Sequence, residues 1–450
     1  MKYLTKKWQM ILYGCAGIGV NMLNIMVGSY LCSALIADGF KNHVTEWTYL
    51  GVNLVVPAIW ATLALFIKAF DGIVDIPLSN YTDNLRTKWG RRRPAILIGF
   101  VPMIIAYLLF LIPIQPFESV INTVWFAFLL FVFYGSYTLT MLTYYATFAE
   151  ILKTEHDRVL VSNTKSICDV VYFSLGFALI PAFISMNLNI RLIALFALPL
   201  AATMLIPFFL IKERSTLEKD KDLPIEEGYS VPTKQERVNF AKSLGHSFKN
   251  KKFIYWLLVL ATMNVGLQLF LGGINEFFSN TAANMTFVMA SAFAPVPFTL
   301  ILYNKFVKKH GLRFAYQYSL VMFTLGMLLM FFAAKFVPDN LITLAAIGCG
   351  ILVSFGIGAF FSITYTVPSH LAAEENEKGG ACASSMYFAV QGLFEGVAAG
   401  IATGPILTFL KTQFLVPYTT LVVAFFCIAA FIMAIFLPET FAKLGKKKDE

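Results

Sequence analysis

Twelve apolar stretches, each about the twenty residues that a helix needs to cross a bilayer, take up most of this 450-residue chain. They run near 10–36, 50–80, 94–114, 120–149, 159–186, 190–211, 253–280, 284–307, 313–336, 340–371, 381–410 and 416–438. Lipid offers backbone N–H and C=O groups no partner, so such segments span as helices that satisfy those groups internally. Composition agrees. The chain is 58% hydrophobic and only 14% charged, where soluble chains carry about 25% charge. The expected fold class is an all-α membrane protein with twelve transmembrane helices.

The net charge of +9 reads as topology. With both termini in the cytoplasm, 29 of the 35 Lys and Arg residues fall on the cytoplasmic side. Four (Lys41, Arg191, Lys335 and Lys411) fall in outer loops, and Lys68 and Lys165 lie within helices. This is the bias that orients spanning helices, and an odd helix count would put the basic tail outside. The charge therefore requires no nucleic-acid partner. The first apolar run is long enough to span and is expected to be retained rather than cleaved. The six cysteines all fall in predicted helices, without metal-ligand spacing or a disulfide framework.

The polar stretch Lys212–Lys252 divides the helices six and six. The expected organisation is an N-terminal half (1–211), a cytoplasmic loop (212–252), a C-terminal half (253–438) and a basic tail (439–450). Val238, Ala241, Leu244 and Phe248 fall near one helical face of that loop, predicting a short helix on the inner membrane surface. The halves echo each other. Asp83–Gly90 and Asn304–Gly311, 221 residues apart, are each a basic loop ending in glycine between the second and third helix of a half. Tyr145–Lys153 and Tyr365–Ala373 repeat at an offset of 220. Two parallel six-helix repeats are the pattern of the major facilitator fold, which binds its solute near the midplane between the halves.

A charge at the bilayer centre costs roughly 2.5–3.5 kcal/mol on insertion scales, so charges kept there mark function. Lys68, Asp71 and Asp75 share one face of the second helix. Lys68 can neutralise Asp71, leaving Asp75 for a cation or a proton. Hard monovalent cations want oxygen ligands, so a carboxylate pair suits sodium, and it equally suits proton carriage. On the fifth helix Lys165 and Asp169 stand four apart, spaced to pair with each other, to bridge to the second helix or to contact solute. Glu276 on the seventh helix lies near the outer mouth and is the weaker candidate. Glu395, in Gln391-Gly-Leu-Phe-Glu395-Gly396, has small neighbours that allow close helix approach, and is expected to face the central cavity. Tyr137, Thr138, Tyr144 and Tyr145 on the fourth helix suit a sugar, whose apolar face and hydroxyl rim match rings with polar tips. On the cytoplasmic side Arg91, Arg92 and Arg93 are expected to pair with the acidic run that contains Glu374 and Glu375, closing the inner gate.

Lys68-Ala-Phe-Asp71-Gly-Ile-Val-Asp75, then Pro77, then Asp83–Pro94 resembles the glycoside–pentoside–hexuronide:cation symporter family, of which melibiose permease is the best-known member. Tyr13-Gly14 with Asn21, Ala149-Glu150 to Arg158 with Lys165, and Pro368-Ser369 to Gly379 resemble further family motifs in the same order. The resemblance implies a cation site at Asp71, Asp75 and Thr138. It also implies aromatic cavity positions at Tyr145 and Phe361 and a basic cavity position at Lys165. Asn21 and Met141 stand where melibiose permease has two sugar-binding aspartates, and Gly396 stands where it has a lysine, with Glu395 beside it. These departures argue against a melibiose-like galactoside.

The expected function is secondary active transport: symport of a sugar or glycoside with Na+ or H+ by alternating access. Asn21, Tyr145, Lys165, Phe361 and Glu395 would bind solute, and Lys68 and Asp169 would pair charges. A symporter of the same fold for another solute, such as a uronate or lysolipid, is the alternative. A non-transporting sensor usually adds a soluble signalling domain, whereas the longest loop here is about 40 residues, so that reading is not expected. No nucleophile–base constellation, metal cluster or phosphate loop points to an enzyme, and no cofactor is expected beyond the coupling ion. The expected setting is a multi-pass monomer in the plasma membrane, surrounded by lipid.

Overall fold

The computed structural model describes residues 1–36, 53–147, 151–152, 155–186, 188–217, 248–279, 281–377, 384–439 and 441. Val238, Ala241 and Leu244 of the helix expected in the central loop lie outside them, as does the end of the basic tail; Phe248 is described and exposed. Twelve helices long and apolar enough to span are present among these residues. They are α1 (Lys7–Ala34), α2 (Pro57–Asn84), α3 (Arg92–Leu109), α4 (Val120–Ala146), α5 (Glu155–Ser185) and α6 (Ile190–Leu210). The second set is α7 (Lys251–Ser279), α8 (Met285–His310), α9 (Leu312–Phe336), α10 (Asp339–Glu377), α11 and α12 (Val416–Ile435). Helix α11 joins Ser384–Ile401 to Leu407–Thr412 through a widened π turn, Ala402–Ile406, and α1 has a π turn of its own at Met26–Leu31. Phe209, Phe298 and Phe425 stand exposed on the outside of the bundle, as lipid-facing residues must.

The helix pairings repeat. In the first set α1 packs on α5 and α6, α2 on α4, and α3 on α4. In the second α7 packs on α11 and α12, α8 on α10, and α9 on α10. Each pairing recurs six helices later. The two repeated loop glycines share a conformation as well: Gly90 has φ +88° and Gly311 φ +89°, a left-handed backbone that favours glycine.

Among the described residues the halves meet most extensively at two seams, α2 with α11 and α5 with α8. At the second, Phe177 stacks on Phe293 with ring centroids 4.4 Å apart and planes 8° from parallel. The first is built from backbone. Gly396, Gly400 and Gly404, four residues apart, present one bare face of α11. A Cβ there would lie 2.7 Å from Lys68 O, 2.9 Å from Leu65 O and 2.7 Å from Ala61 O respectively. From α2, Gly72 answers, with a Cβ placed 2.7 Å from Leu393 Cα. Small residues at four-residue spacing let helices approach closely in lipid, where no hydrophobic force drives them together.

The basic connector after α2 is tied to the end of α6. Thr87 Oγ1 donates to Gly90 O at 2.6 Å, and Thr87 N donates to Thr216 Oγ1 at 2.9 Å. The Glu213 carboxylate accepts from Arg92 N at 2.8 Å, so an acid caps the N-terminus of α3, whose first N–H groups have no helical acceptor. Burial pushes the Glu213 carboxyl above its ordinary value, and the backbone N–H groups of Arg91, Arg92 and Arg93 oppose that rise. A carboxyl raised in the folded state contributes stability that is full below the unfolded pKa and lost as pH rises through the folded one. At neutral pH the useful part of Glu213 is therefore its acceptor oxygen rather than its charge.

Two outcomes follow from these contacts. Gly72→Ala, which must push backbone from backbone, lowers stability by about 1–3 kcal/mol in thermal denaturation of the purified protein; a wild-type midpoint would contradict the seam. At neutral pH Glu213→Gln melts with wild type, whereas Glu213→Ala loses about 1 kcal/mol with its cap; equal losses in the two variants would assign the role to the charge.

Candidate functional site

The candidate polar side chains lie on α1, α2, α4 and α5 of the first half and on α7, α10 and α11 of the second. On α2 the Asp71 Oδ1 oxygen accepts from Thr138 Oγ1 of α4 at 2.8 Å. One helical turn before Asp71, Lys68 Nζ sits over the Tyr134 ring, 3.5 Å from its centroid. A cation on an aromatic face is attracted by the ring quadrupole, so the charge meets a ring of α4 in addition to the Asp71 carboxylate three residues on, with which it interacts electrostatically. Asp75 lies one turn further along the α2 backbone, and its side chain is outside the described residues. The helix continues past it through Pro77.

Asn21 of α1 is buried, and its Oδ1 accepts from Tyr137 OH of α4, the residue before Thr138, at 2.7 Å. Reciprocal bonds hold these two helices together: Tyr13 OH donates to Tyr144 O and Tyr144 OH to Tyr13 O, each at 2.7 Å. Tyr13 OH also meets Thr147 Oγ1. Tyr145, next in the chain, is 41% exposed. Lys165 Nζ lies 5.0 Å from the Tyr145 ring centroid and 2.5 Å from Asp169 Oδ2. Of the three partners open to Lys165 on spacing, the structure therefore gives it Asp169, one turn away on the same helix.

From the other half, Glu395 is fixed within a polar chain. Trp256 Nε1 donates to Gln391 Oε1 at 3.2 Å, and Gln391 Nε2 donates to Glu395 Oε1 at 3.0 Å and to Thr364 O at 2.8 Å. Glu395 precedes Gly396, whose absent side chain lets Lys68 O approach. A lysine at Gly396 would have its Cβ in that carbonyl, which accounts physically for glycine at a position where the family resemblance placed a lysine. Phe361, Glu374 and Glu375 lie on α10 with side chains outside the described residues. Arg92 Nη1 donates to Thr82 Oγ1 at 3.3 Å, and Arg93 Nε donates to Phe208 O at 2.9 Å with its guanidinium 4.8 Å from the Phe208 ring centroid. These contacts lie within the first half.

Two residues change standing. Lys411, counted from sequence in an outer loop, belongs to the last turn of α11 and is 2% exposed. Glu276, the weaker candidate from sequence, is 0% exposed and lies 2.9 Å from Lys411 Nζ. Each neutralises the other's charge, which lets both leave water. Lys411 also borders a cavity of about 30 Å³ with Cys32, Ser33, Lys68, Tyr134 and Thr408. The signal for this pair was an acid and a base at the ends of two apolar runs, which composition alone does not connect.

Residues 12–415 match the family described as MFS/sugar transport protein. Solved transporters share the fold. A bacterial homologue of the human lysosomal transporter Spinster superposes with a TM-score of 0.64 at 11% identity, over 99% of each chain. A D-xylose–proton symporter gives 0.63 at 12%, over 98% of this chain and 99% of that one. The nucleoside transporter NupG gives 0.60 at 14%, over 96% and 98%. No curated protein matches the sequence significantly.

Proposed function

We propose a function from one established premise: the chain belongs to the MFS/sugar transport family, the glycoside–pentoside–hexuronide:cation symporters of the major facilitator superfamily. It is a multi-pass transporter and not an enzyme. We infer that it moves a sugar or glycoside together with Na+ or H+ by alternating access, in the plasma membrane.

The observation that carries this reading is the Asp71–Thr138 contact, which supplies a carboxylate and a hydroxyl from two helices within 2.8 Å. Oxygen ligands of this kind suit a hard monovalent cation, and a carboxylate equally suits a proton. Asp75 would add a second carboxylate one turn away. Binding there pulls α2 and α4 together, and those helices carry Lys68, Tyr134 and Tyr137. Tyr137 leads to Asn21, the proposed solute ligand on α1. Solute and cation thus act on the same helix contacts, and thermodynamic reciprocity makes each tighten the other.

The polar groups favour a neutral solute. Lys165, the cation best placed beside Tyr145, is already paired with Asp169 at 2.5 Å, so an anionic solute would have to displace a carboxylate. The Asn21 amide and the Tyr137 hydroxyl instead offer donors and acceptors that match sugar hydroxyls, with Tyr145 as the ring for an apolar sugar face. Glu395 would contribute from α11, Phe361 from α10, and Arg91–Arg93 with Glu374 and Glu375 would close the inner side. A uronate or lysolipid carrier of the same fold would need Lys165 released.

The test is uptake into proteoliposomes against a panel of neutral sugars, uronates and lysolipids, under imposed Na+ or H+ gradients. One ion is expected to drive accumulation of a neutral sugar. Asp71→Asn and Asp75→Cys are expected to abolish gradient-driven accumulation while downhill exchange persists, and Thr138→Val to weaken the ion's apparent affinity about tenfold. Undiminished accumulation by Asp71→Asn would reject the assigned ion site, and uptake of uronates alone would reject the neutral solute.

A further inference from the structure

The Lys411 ammonium makes a contact that the transport site does not use. It stands at the end of α11, where Nζ lies 2.9 Å from Glu276 Oε1 of α7. It also donates across to the first half, to Ser33 O of α1 at 2.9 Å and to Ser33 Oγ at 2.6 Å. An ammonium has three N–H donors, and three acceptor oxygens surround this one. Glu276, Lys411 and Ser33 are 0%, 2% and 5% exposed.

The Ser33 carbonyl has an acceptor lone pair to spare. Helix α1 ends at Ala34, where Ser33 O accepts from Ile36 N only at 3.4 Å, in place of the regular bond from a following helical turn. The last carbonyls of a helix also carry the negative end of the helix dipole, where a cation is favoured. A lysine of the second half therefore caps a helix of the first. This end of α1 is the one remote from the basic connectors: at the other end Leu4 N bonds Ile151 O and Lys2 N bonds Lys212 O. Charge bias makes the Ser33 end the outer face.

We propose that Lys411 is the latch of the outer gate, holding α1 against α7 and α11 when the carrier is closed on that side. The division of partners fits a contact that breaks and re-forms. Glu276 and Lys411 belong to the same half, so the ammonium stays neutralised when the halves part. Ser33 is released, and water entering the opened face takes over its oxygens. Both helices bearing the latch have a π turn shortly before it, Met26–Leu31 in α1 and Ala402–Ile406 in α11. The second contains Pro405, which has no N–H to give the helix. Such turns are local points of adjustment in a helix and recur at functional sites, and here they let each end tilt while the seam at Gly396 and Gly400 holds.

This inference rests on the alternating-access reading, and its test needs neither solute nor ion. Cys32 borders the cavity that Ser33 and Lys411 help to close, so it reports on opening. In a protein whose other five cysteines are alanine, a membrane-impermeant maleimide is added to intact cells and the initial rate of Cys32 labelling is measured. Lys411→Met is expected to raise that rate about tenfold or more, and Ser33→Ala, which leaves the carbonyl contact, about threefold. A matching protein keeping only Cys427, which is buried within the second half, separates gate opening from general loosening. Its labelling is expected to stay at the wild-type level in both variants. Unchanged Cys32 labelling in Ser33→Ala, with or without a folded Lys411→Met, overturns the latch, and so does a parallel rise at Cys427. A failed latch with ion-driven uptake intact would leave the symport reading standing. Loss of the Asp71 effect on uptake with Cys32 behaving as expected would overturn the symport reading alone.

Discussion

Gly396, Gly400 and Gly404 bring α11 so near α2 that the carbonyls of Lys68, Leu65 and Ala61 occupy the space where side chains would be. Lipid solvates an apolar side chain as well as another helix does, so the two halves of a transporter gain little from hydrophobic contact. Close backbone approach replaces it with dispersion over a long, smooth seam. Smoothness has a second consequence. A seam without interlocking side chains resists separation but opposes tilting less, which suits two bodies that must rock on each other. The α5–α8 contact, made by near-parallel rings of Phe177 and Phe293, has the same character.

The seam fixes where the polar groups can be. Because α2 turns its backbone toward α11 at Lys68 and Gly72, the side chains of Lys68 and Asp71 are directed to α4, where Tyr134 and Thr138 receive them. On the other helix Glu395 is held by Gln391, and the run of glycines continues past it to the turn that precedes Lys411. One pair of helices thus carries the proposed ion site near its middle and the proposed latch toward its end.

Much of this was legible in the sequence because lipid imposes simple rules. Twelve spans follow from length and hydropathy, and the two sets follow from the repeated basic loops, whose glycines Gly90 and Gly311 adopt nearly the same φ. Asp71 and Thr138 were named for one site from a family resemblance, and the structure brings them into contact. Pairwise geometry was not legible. Spacing left Lys165 several partners, and only coordinates assign Asp169. Lys68 meets a ring of another helix as well as the carboxylate that the sequence offered on its own helix. Lys411 was counted as an outer-loop residue because a charge at the edge of an apolar run looks solvated until its partner on α7 is known. The glycine spacing of α11 was present in the sequence, but its partner helix was not.

The contrast between Lys68 and Lys411 sharpens the division of roles. Both are ammonium groups bordering one small cavity, and a buried charge needs compensation. Lys411 has a carboxylate of its own half within 2.9 Å, so its charge is balanced whatever the first half does. Lys68 has an aromatic face and, one turn along, Asp71, whose Oδ1 is already engaged by Thr138. That carboxylate keeps its charge for the lysine, so a cation or proton at the proposed ion site would compete with Lys68 for it. A group compensated within its own body can serve as a mechanical contact. A group whose compensation is shared with an exchangeable ion is suited to report that ion's presence. The first description fits the end of α11 and the second fits the middle of α2.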